Sequence, residues 1–213
     1  MKTKLIMVRH GFSTANDKKI YAGSDDYPLS TLGLKQAEAC GKWFEDKKID
    51  IIYSSNLSRA YETARPIAKT LGLEINVDEQ LRECDGGDWE GLTYEELCEI
   101  YPKEYEIWCT DIGKAVCPNG ESVKDFFKRI KDVVVRIAED NIGKIVLITT
   151  HATPIRVITA LARNLDAEKM SEVEWTANAS INTFEYEDGK FTAISLNDDE
   201  YLQDMRSTLP ANV

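Results

Sequence analysis

The chain has 213 residues, of which 43% are hydrophobic and 30% are charged, a composition typical of a globular domain and not of a disordered or fibrous protein. Its 26 Lys and Arg residues against 37 Asp and Glu residues give a net charge of -11, which would repel a nucleic-acid backbone, so we expect no nucleic acid among its partners. No apolar run reaches the roughly 18 residues that a spanning helix needs, so we expect no membrane partner either.

The cysteines indicate a reducing environment. They are odd in number and include no Cys-x-x-Cys pair, which is untypical of a disulfide scaffold or a redox motif. We therefore expect free thiols in a cytoplasmic protein. The five are Cys40, Cys84, Cys98, Cys109 and Cys117.

The length of the chain fits one α/β domain over residues 1–213.

Hydrophobic periodicity predicts the elements of the first half of the chain. We expect a buried strand over residues 4–8, a helix over 30–46, a second strand over 49–53, a helix that begins near Leu57 and a short strand over 74–77. Pro66 is expected to kink or restart its helix, because proline removes a helical hydrogen bond.

The second half continues with two short helices over 93–100 and 103–111, an amphipathic helix over 121–140, a strand over 144–149 with a helix after it, and a hairpin over 181–186 and 191–196. The polar tail after Asn197 is expected to be loosely held. This alternation predicts an α/β fold, a three-layer αβα sandwich with a mostly parallel central sheet. We interpret residues 86–120 as a small helical lid insertion.

The sequence contains two histidines, His10 and His151, and each follows a predicted strand. Ligands of open α/β sheets bind at the carboxyl ends of the strands, so we expect both imidazoles at one site. A neutral imidazole at His10 is suited to attack phosphorus. As a cation, His151 would stabilise negative charge on a transferring phosphoryl group, and the backbone N–H groups from Ala152 onward would point at the same ligand.

Arginines near these strand ends are candidate phosphate donors. Arg9 directly precedes His10, and its guanidinium offers forked donors to phosphoryl oxygens. Arg59 lies in the first turn of the helix after the second strand, where the positive helix end already favours anions. Taken alone, Arg59 fits a solvated helix residue better, and Arg65, further from the sheet edge, ranks below it.

A loop rich in carboxylates and glycines follows the strand over 74–77. Proton delivery to a leaving alkoxide requires a carboxyl group in a partly buried environment, which Trp89 nearby would supply. Four acids compete for this role, and their spacing neither chooses among them nor excludes an acidic surface turn. They are Glu83, Asp85, Asp88 and Glu90.

A zinc site is the alternative interpretation of two histidines with acids and thiols in the same chain. The sequence has no short-spaced pair of zinc ligands of the kind that such sites use. We therefore expect no metal site and no cofactor.

Five motifs occur here in the order in which they occur in one known family. They are Arg9-His10-Gly11, Ser58-Arg59-Ala60, the Leu81-Arg82-Glu83 loop that ends in Trp89-Glu90-Gly91, the turn Pro118-Asn119-Gly120-Glu121-Ser122, and the strand end at His151. Together they cover nearly the whole chain. The sequence resembles the histidine phosphatase superfamily, also called phosphoglycerate-mutase-like, and in particular its phosphatase-type members.

The resemblance implies a role for each matching residue. His10 would be the nucleophile that forms a phosphohistidine, and Glu83 the general acid that later activates water. The phosphate pocket would be formed by Arg9, Arg59 and His151. Ser13 and Asn16 match the phosphate loop of the family and Gly23 the glycine of the next loop, so these three join Ala152 as candidate substrate-binding residues.

Some positions depart from the family pattern. Phe12 stands where many members have glutamate, Gly86 where one phosphatase subgroup has phenylalanine, and Ala152-Thr153 where two glycines are typical. We expect Phe12 and Gly86 around the mouth of the pocket, where they would influence the choice of substrate.

Three functions fit these residues, and we favour a phosphatase that hydrolyses a small phosphorylated metabolite. The first alternative is a cofactor-dependent phosphoglycerate mutase. The true mutases of the family carry a longer shielding insertion, for which this chain is too short. A non-catalytic phosphate-binding module is the second alternative. Candidate substrates include α-ribazole phosphate, sugar phosphates and other small monoesters. Aromatic residues of the lid would stack on a ring-bearing substrate or simply pack the lid; they are Trp89, Tyr94, Tyr101, Tyr105 and Trp108.

Overall fold

A six-stranded sheet forms the centre of the computed structural model, which describes residues 1–207. In chain order its strands are β1 (Thr3–Arg9), β2 (Ile51–Ser54), β3 (Ile75–Val77), β4 (Ile145–Thr150), β5 (Ile181–Glu187) and β6 (Lys190–Asp198). They lie in the order β3-β2-β4-β1-β5-β6. The first four of this row are parallel, and the hairpin of β5 and β6 adds two antiparallel strands at one edge.

The α-helices lie close to their predicted positions. They are α1 (Thr14–Lys18), α2 (Thr31–Trp43), α3 (Ser58–Leu71), α4 (Tyr94–Ile100), α5 (Pro102–Thr110), α6 (Val123–Asp140) and α7 (Ala152–Ala162). Helix α1 was missed because five residues are too few to show a helical period. The predicted restart at Pro66 is wrong, since α3 continues past it and Pro66 packs closely against Gly41 of α2.

Side chains that alternate along the central strands separate two hydrophobic layers. In β1, Leu5 and Met7 pack with residues of α6 and α7, whereas Ile6 and Val8 pack with residues of α2 and α3. Both faces of the sheet are therefore covered by helices, as expected of parallel strands that read as continuous apolar runs. The predicted three-layer αβα sandwich is confirmed.

The polar C-terminal segment is better anchored than its composition predicts. Residues Glu200–Met205 form a 3-10 turn in which Leu202 is fully buried. The hydroxyl of Tyr201 donates to the Ala179 carbonyl over 2.6 Å, and the amide of Gln36 donates to the Met205 carbonyl over 2.8 Å. The expectation of a loosely held tail is thus wrong for this turn. The last part of the tail, residues 208–213, lies outside the described residues.

No helix among residues 1–207 combines the length and apolar character needed to cross a membrane.

Leu202 should therefore contribute to stability like a core residue. We expect Leu202→Ala to lower the free energy of unfolding by about 2–5 kcal/mol, because the substitution leaves a cavity against α2. Chemical denaturation followed by circular dichroism measures the change. The control is Ile194→Ala, since Ile194 is 56% exposed and should change stability by about 0.5 kcal/mol or less. Equal effects of the two variants would contradict a core role for the turn.

Candidate active site

The register of two parallel strands places the two histidines side by side. Arg9, the last residue of β1, pairs with Thr150, the last residue of β4, so His10 and His151 follow at adjacent strand ends. The ring centroids are 5.2 Å apart, and the His10 N–H donates to the Thr150 carbonyl over 2.9 Å. Two residues 141 positions apart in the chain thus meet at the carboxyl edge of the sheet.

A cleft of about 550 Å³, measured with its open mouth, lies above this edge. Seven of the nine predicted site residues line it: Arg9, His10, Ser13, Asn16, Arg59, Glu83 and Ala152. The rest of the lining is mainly apolar and aromatic: Ile20, Tyr21, Ala22, Tyr94, Trp108, Thr153 and Trp175. Helices α4 and α5 of the expected lid supply Tyr94 and Trp108. The other two predicted residues are not part of this lining: Gly23 packs elsewhere, and His151 is buried directly against His10.

A short hydrogen bond fixes the tautomer of His10. Its Nδ1 lies 2.7 Å from the Gly11 carbonyl oxygen, which can only accept, so Nδ1 carries the proton. In the neutral ring Nε2 therefore keeps its lone pair. His10 is 4% exposed, which restricts approach to this imidazole from solvent. This arrangement is the one that a nitrogen nucleophile requires.

Burial and neighbouring cations keep both imidazoles neutral in the free site. Burial lowers the pKa of His10 well below its usual value of 6.5, and the guanidinium groups of Arg59 and Arg9 lower it further. The pKa of His151 is lowered well below 6.5 for the same reasons, with His10 as an additional cause. The expected cationic role of His151 toward a transferring phosphoryl group concerns the loaded site and stays a prediction; the full burial of the ring could not be inferred from the sequence.

His151 contacts the end of β2 as well as His10. Its Nε2 lies 2.9 Å from the hydroxyl oxygen of Ser55, and its Nδ1 is buried without a hydrogen-bond partner in the described structure. Buried polar atoms of native proteins are normally paired, so this ring nitrogen beside His10 keeps hydrogen-bonding capacity that the described residues do not use.

Arg9 is held by the loop that precedes β5. Its Nη1 donates to the carbonyl of Thr176, while its Nε is buried and has no partner. Burial lowers the pKa of Arg9 to about 10, and Glu83 partly offsets this effect. The guanidinium thus remains charged at neutral pH and keeps donor capacity for a ligand.

Arg59 and Glu90 both bind the backbone of the loop formed by residues 22–25. Arg59 binds its carbonyl groups, and Glu90 binds its N–H groups. Arg59 donates to the carbonyls of Asp25, Gly23 and Ala22 over 2.8, 2.8 and 3.0 Å. The Glu90 carboxylate accepts from the backbone N–H groups of residues 23–25. Gly23 was predicted to bind substrate, but it is packed away from the cleft, where an added Cβ would lie 2.0 Å from the Cys84 carbonyl oxygen.

Glu83 is the carboxylate that reaches the cleft. One of its oxygens accepts from the N–H of Cys84 over 2.8 Å, and the other accepts from the N–H of Thr153 over 3.1 Å. The prediction that the first N–H groups of α7 point at a ligand therefore needs a correction, since the Thr153 group is engaged by Glu83. The start of helix α7 thus holds the Glu83 carboxylate in the cleft wall.

The other acids of this loop have different partners. Asp85 accepts from the Gly87 N–H over 3.0 Å, and Asp88 accepts from the Asn119 side chain over 2.9 Å. Trp89, expected to shape the environment of the acid, is instead fully buried in an aromatic cluster with Tyr21, Tyr105 and Trp108. Tertiary contacts thus choose Glu83 where spacing could not.

Ser13 and Asn16 form the capping box of α1 at the cleft wall. The Ser13 hydroxyl accepts from the Asn16 N–H over 3.1 Å, and the Asn16 side chain accepts from the Ser13 N–H over 3.0 Å. Asn178, which sequence reasoning missed, donates to both the Asn16 side chain and the His10 carbonyl. It connects this wall to the strand end that carries His10.

The expected position of Phe12 and Gly86 at the pocket mouth is not observed, since neither residue lines the cleft. The Phe12 N–H donates to Gln36 of α2 over 2.7 Å. Gly86 lies beneath Tyr21, where an added Cβ would come within 2.4 Å of the ring. A larger residue at position 86 would displace this part of the wall.

Arg129 of α6 was also missed by sequence reasoning. Its guanidinium donates to the carbonyls of Gln80, Arg82 and Glu83 over 2.7 to 3.2 Å and to both carboxylate oxygens of Glu121 over 2.8 and 2.7 Å. The pair is mostly buried, so it fixes the backbone from which Glu83 projects. The motif around Glu121 was visible in the sequence, but its partner on α6 was not.

The two buried imidazoles should make stability depend on pH near neutrality. Their pKa values are lowered below 6.5 in the folded state, so the unfolded chain binds more protons as the pH falls below about 6.5. We expect the free energy of unfolding to decrease from pH 7.5 to 5.5, by up to about 1.4 kcal/mol per pH unit for each ring. Urea denaturation without phosphate measures this slope.

The matched control for this slope is the double variant His10→Asn, His151→Asn, which has no imidazole to titrate. Its stability should change less over the same pH range. An equal slope in the two proteins would show that other groups cause the dependence.

Comparisons with known proteins identify the family. A model of the histidine phosphatase superfamily (branch 1) matches residues 5–199. The putative phosphoserine phosphatase 2 of Hydrogenobacter thermophilus is 33% identical over 194 residues, which cover 91% of this chain and 95% of that protein. The adenosylcobalamin/alpha-ribazole phosphatase of Escherichia coli is 28% identical over 167 residues, which cover 78% of this chain and 82% of that protein.

Structural similarity extends over the same range. The structure of Bacillus stearothermophilus YhfR, 27% identical, matches 94% of this chain and all of its own chain with a TM-score of 0.89. The resemblance inferred from the five motifs is confirmed, and with it the prediction of a phosphatase that acts on phosphate esters. The chain therefore belongs to the histidine phosphatase superfamily.

Proposed function

We propose that this protein hydrolyses a small phosphate monoester through a phosphohistidine formed on His10. One observation carries the proposal: a single cleft contains a neutral imidazole with a free Nε2, two buried guanidinium groups and one carboxylate. Phosphoryl transfer requires mainly positioning and charge stabilisation, which this set of groups provides.

The site has an excess of positive charge that suits a phosphate dianion. Arg9 and Arg59 are cationic and buried, and Glu83 is the one carboxylate in the described lining. The unpaired Arg9 Nε and His151 Nδ1 are the atoms that phosphoryl oxygens would satisfy. A bound dianion would also favour protonation of His151, which gives the predicted charge stabilisation in the loaded site.

The reaction then follows in two steps. His10 Nε2 attacks phosphorus, the N–P bond forms, the ester P–O bond breaks, and Glu83 gives its proton to the leaving alkoxide. A water molecule next loses a proton to Glu83 and attacks phosphorus. The N–P bond breaks, which releases inorganic phosphate and restores both residues. In these steps His10 is the nucleophile, Glu83 is the acid and then the base, and the guanidinium groups are the hydrogen-bond donors to the phosphoryl oxygens.

The proposal includes a small phosphorylated metabolite as substrate and the cytoplasm as location. All five cysteines are unpaired, and thiols of this kind stay reduced in that compartment. Ser13, Asn16 and Ala152 would contact the substrate from the cleft wall.

His10→Ala should abolish hydrolysis, because no other group can accept the phosphoryl. Turnover of p-nitrophenyl phosphate and of a panel of natural monoesters, measured with EDTA present, should fall to background. Rapid acid-base quench with a ³²P-labelled ester should show an alkali-stable, acid-labile phosphoenzyme in the wild type only.

Arg65→Ala is the control for His10→Ala, since Arg65 is exposed on the same helix as Arg59 and pairs with Glu62. It should keep wild-type turnover. Hydrolysis by His10→Ala would overturn the proposal. Isomerisation of 3-phosphoglycerate with a bisphosphate primer, without hydrolysis, would instead establish the mutase.

Arg129→Lys should impair proton donation by Glu83, because lysine cannot span three carbonyls and a carboxylate as the guanidinium does. We expect kcat for alkyl esters to fall on the order of 10²-fold, the lower range for loss of general acid catalysis. The loss for p-nitrophenyl phosphate should be smaller, since nitrophenolate leaves without protonation. Glu83→Gln should show the same contrast between the two ester types.

Arg136→Lys provides the control on the same helix, because Arg136 pairs with Asp78 at the surface. It should change neither rate. An equal loss on both ester types in Arg129→Lys would point to general distortion of the site.

A further inference from the structure

The cleft is lined by aromatic side chains as well as by charged ones. Tyr94 and Trp108 from α4 and α5, and Trp175 from the segment after α7, line the same cavity as His10. Ile20 extends this apolar surface. A leaving alcohol on a phosphorus bound at His10 would lie along these aromatic side chains, which we call the outer wall.

The aromatic side chains from the lid are braced from behind. Tyr94 stacks on Tyr105 with ring centroids 6.5 Å apart and planes 14° apart. Trp108 makes edge contacts with Tyr21 and Trp89 at 5.4 and 5.7 Å. Rings that are fixed before a ligand arrives lose little conformational entropy on binding, which favours affinity.

Trp175 is braced by a buried cation. The guanidinium of Arg156 lies 4.0 Å from the centre of the indole, and Arg156 is 3% exposed. Arg156 also donates to the Val173 and Met170 carbonyls over 2.8 to 3.0 Å. Stacking of this kind holds the ring at a fixed angle. Arg156 is therefore a positioning residue for Trp175.

The distribution of charge disfavours a second anionic group on the substrate. Among the described residues that line the cleft, the cations are Arg9 and Arg59, and both lie at the phosphate end. Arg156 is covered by Trp175 and does not line this cavity. A carboxylate on the leaving alcohol would thus meet no cation in the described lining beyond the two guanidinium groups that serve the phosphate, and its burial there would be unfavourable.

We propose that Trp175, Trp108 and Tyr94 form a subsite for the ring of an uncharged, ring-bearing alcohol. This inference rests on the proposed phosphatase function and assigns the class of its substrate. This substrate class differs from the one in the name of the phosphoserine phosphatase relative, because phosphoserine carries a carboxylate. Stacking on the indole would lower KM for ring-bearing esters, whereas the chemistry at His10 would remain the same.

The test compares three esters of primary alcohols, so that leaving-group chemistry does not decide the outcome. They are 2-phenylethyl phosphate, O-phosphoserine and glycerol 3-phosphate. For the wild type we expect kcat/KM to be at least about 10-fold higher for 2-phenylethyl phosphate than for either ring-free ester, the scale of a stacking contact with a base or ring. A value for O-phosphoserine equal to or above that for 2-phenylethyl phosphate overturns the proposal.

Substitution of the indole identifies its role. Trp175→Leu should raise KM for 2-phenylethyl phosphate about 10-fold, with kcat and the glycerol 3-phosphate kinetics within about twofold of wild type. Trp175→Phe should restore most of the loss, because it keeps a ring. Trp43→Leu is the control, since Trp43 packs against Phe44 and Tyr201 away from the cleft. Equal losses on all three esters in folded Trp175→Leu would overturn the subsite.

Failure of the proposed function is distinguished by binding. If the wild type hydrolyses none of the esters, calorimetry with the stable analogues 3-phenylpropylphosphonate and 2-amino-4-phosphonobutyrate still tests the subsite. Tighter binding of the phenyl analogue, lost in Trp175→Leu, supports the subsite. Equal or weaker binding overturns it.

Discussion

The site depends on the register between the parallel strands β1 and β4. Pairing of Arg9 with Thr150 sets His10 beside His151 and aligns both with the start of α7. A shift of one residue would turn every side chain of one strand to the other face of the sheet, and the two buried layers on either side oppose such a shift. The packing of the core therefore also fixes the distance between the two imidazoles.

Burial of four basic side chains in one place costs desolvation free energy; they are Arg9, His10, Arg59 and His151. The structure offsets this cost differently for the arginines and for the histidines. Carbonyl groups of the surrounding loops accept from both guanidinium groups, so the charges of Arg9 and Arg59 are partly solvated by the protein. The imidazoles respond instead by losing their protons, as their lowered pKa values show. What remains is a cationic pocket with unpaired donors, which a dianion completes better than water does.

Sequence reasoning found those parts of the site that local patterns encode. His10, Arg59 and His151 stand at strand ends or in a first helical turn, positions that hydrophobic periodicity predicts. Spacing alone did not separate Glu83 from the acids beside it, and only the match to the family motif singled it out, because its contact with Thr153 joins residues 70 positions apart. The full burial of His151 could not be predicted for a related reason, since the degree of burial depends on the whole fold.

The residues that sequence reasoning missed act over long distances in the chain. Arg129 supports Glu83 from 46 residues away, and nothing in the amphipathic pattern of α6 marks it among other helical arginines. Trp175 lies in an irregular segment without a periodic pattern, so its place in the cleft wall follows only from the path of the chain after α7. The anchored turn around Leu202 was hidden by the polar composition of its neighbours.

Charged and aromatic surfaces divide the cleft between reaction and recognition. Interactions with the phosphoryl group change as the N–P bond forms, so the guanidinium groups around it can stabilise the transition state more than the ground state. Contacts between a ring and the outer wall do not change during the reaction, and they therefore contribute uniform binding that appears in KM. The bracing residues contact the aromatic wall itself: Arg156 lies against Trp175, and Tyr105 stacks on Tyr94. A shared catalytic set thus does not by itself specify a shared substrate, and the outer wall must be analysed separately for each chain.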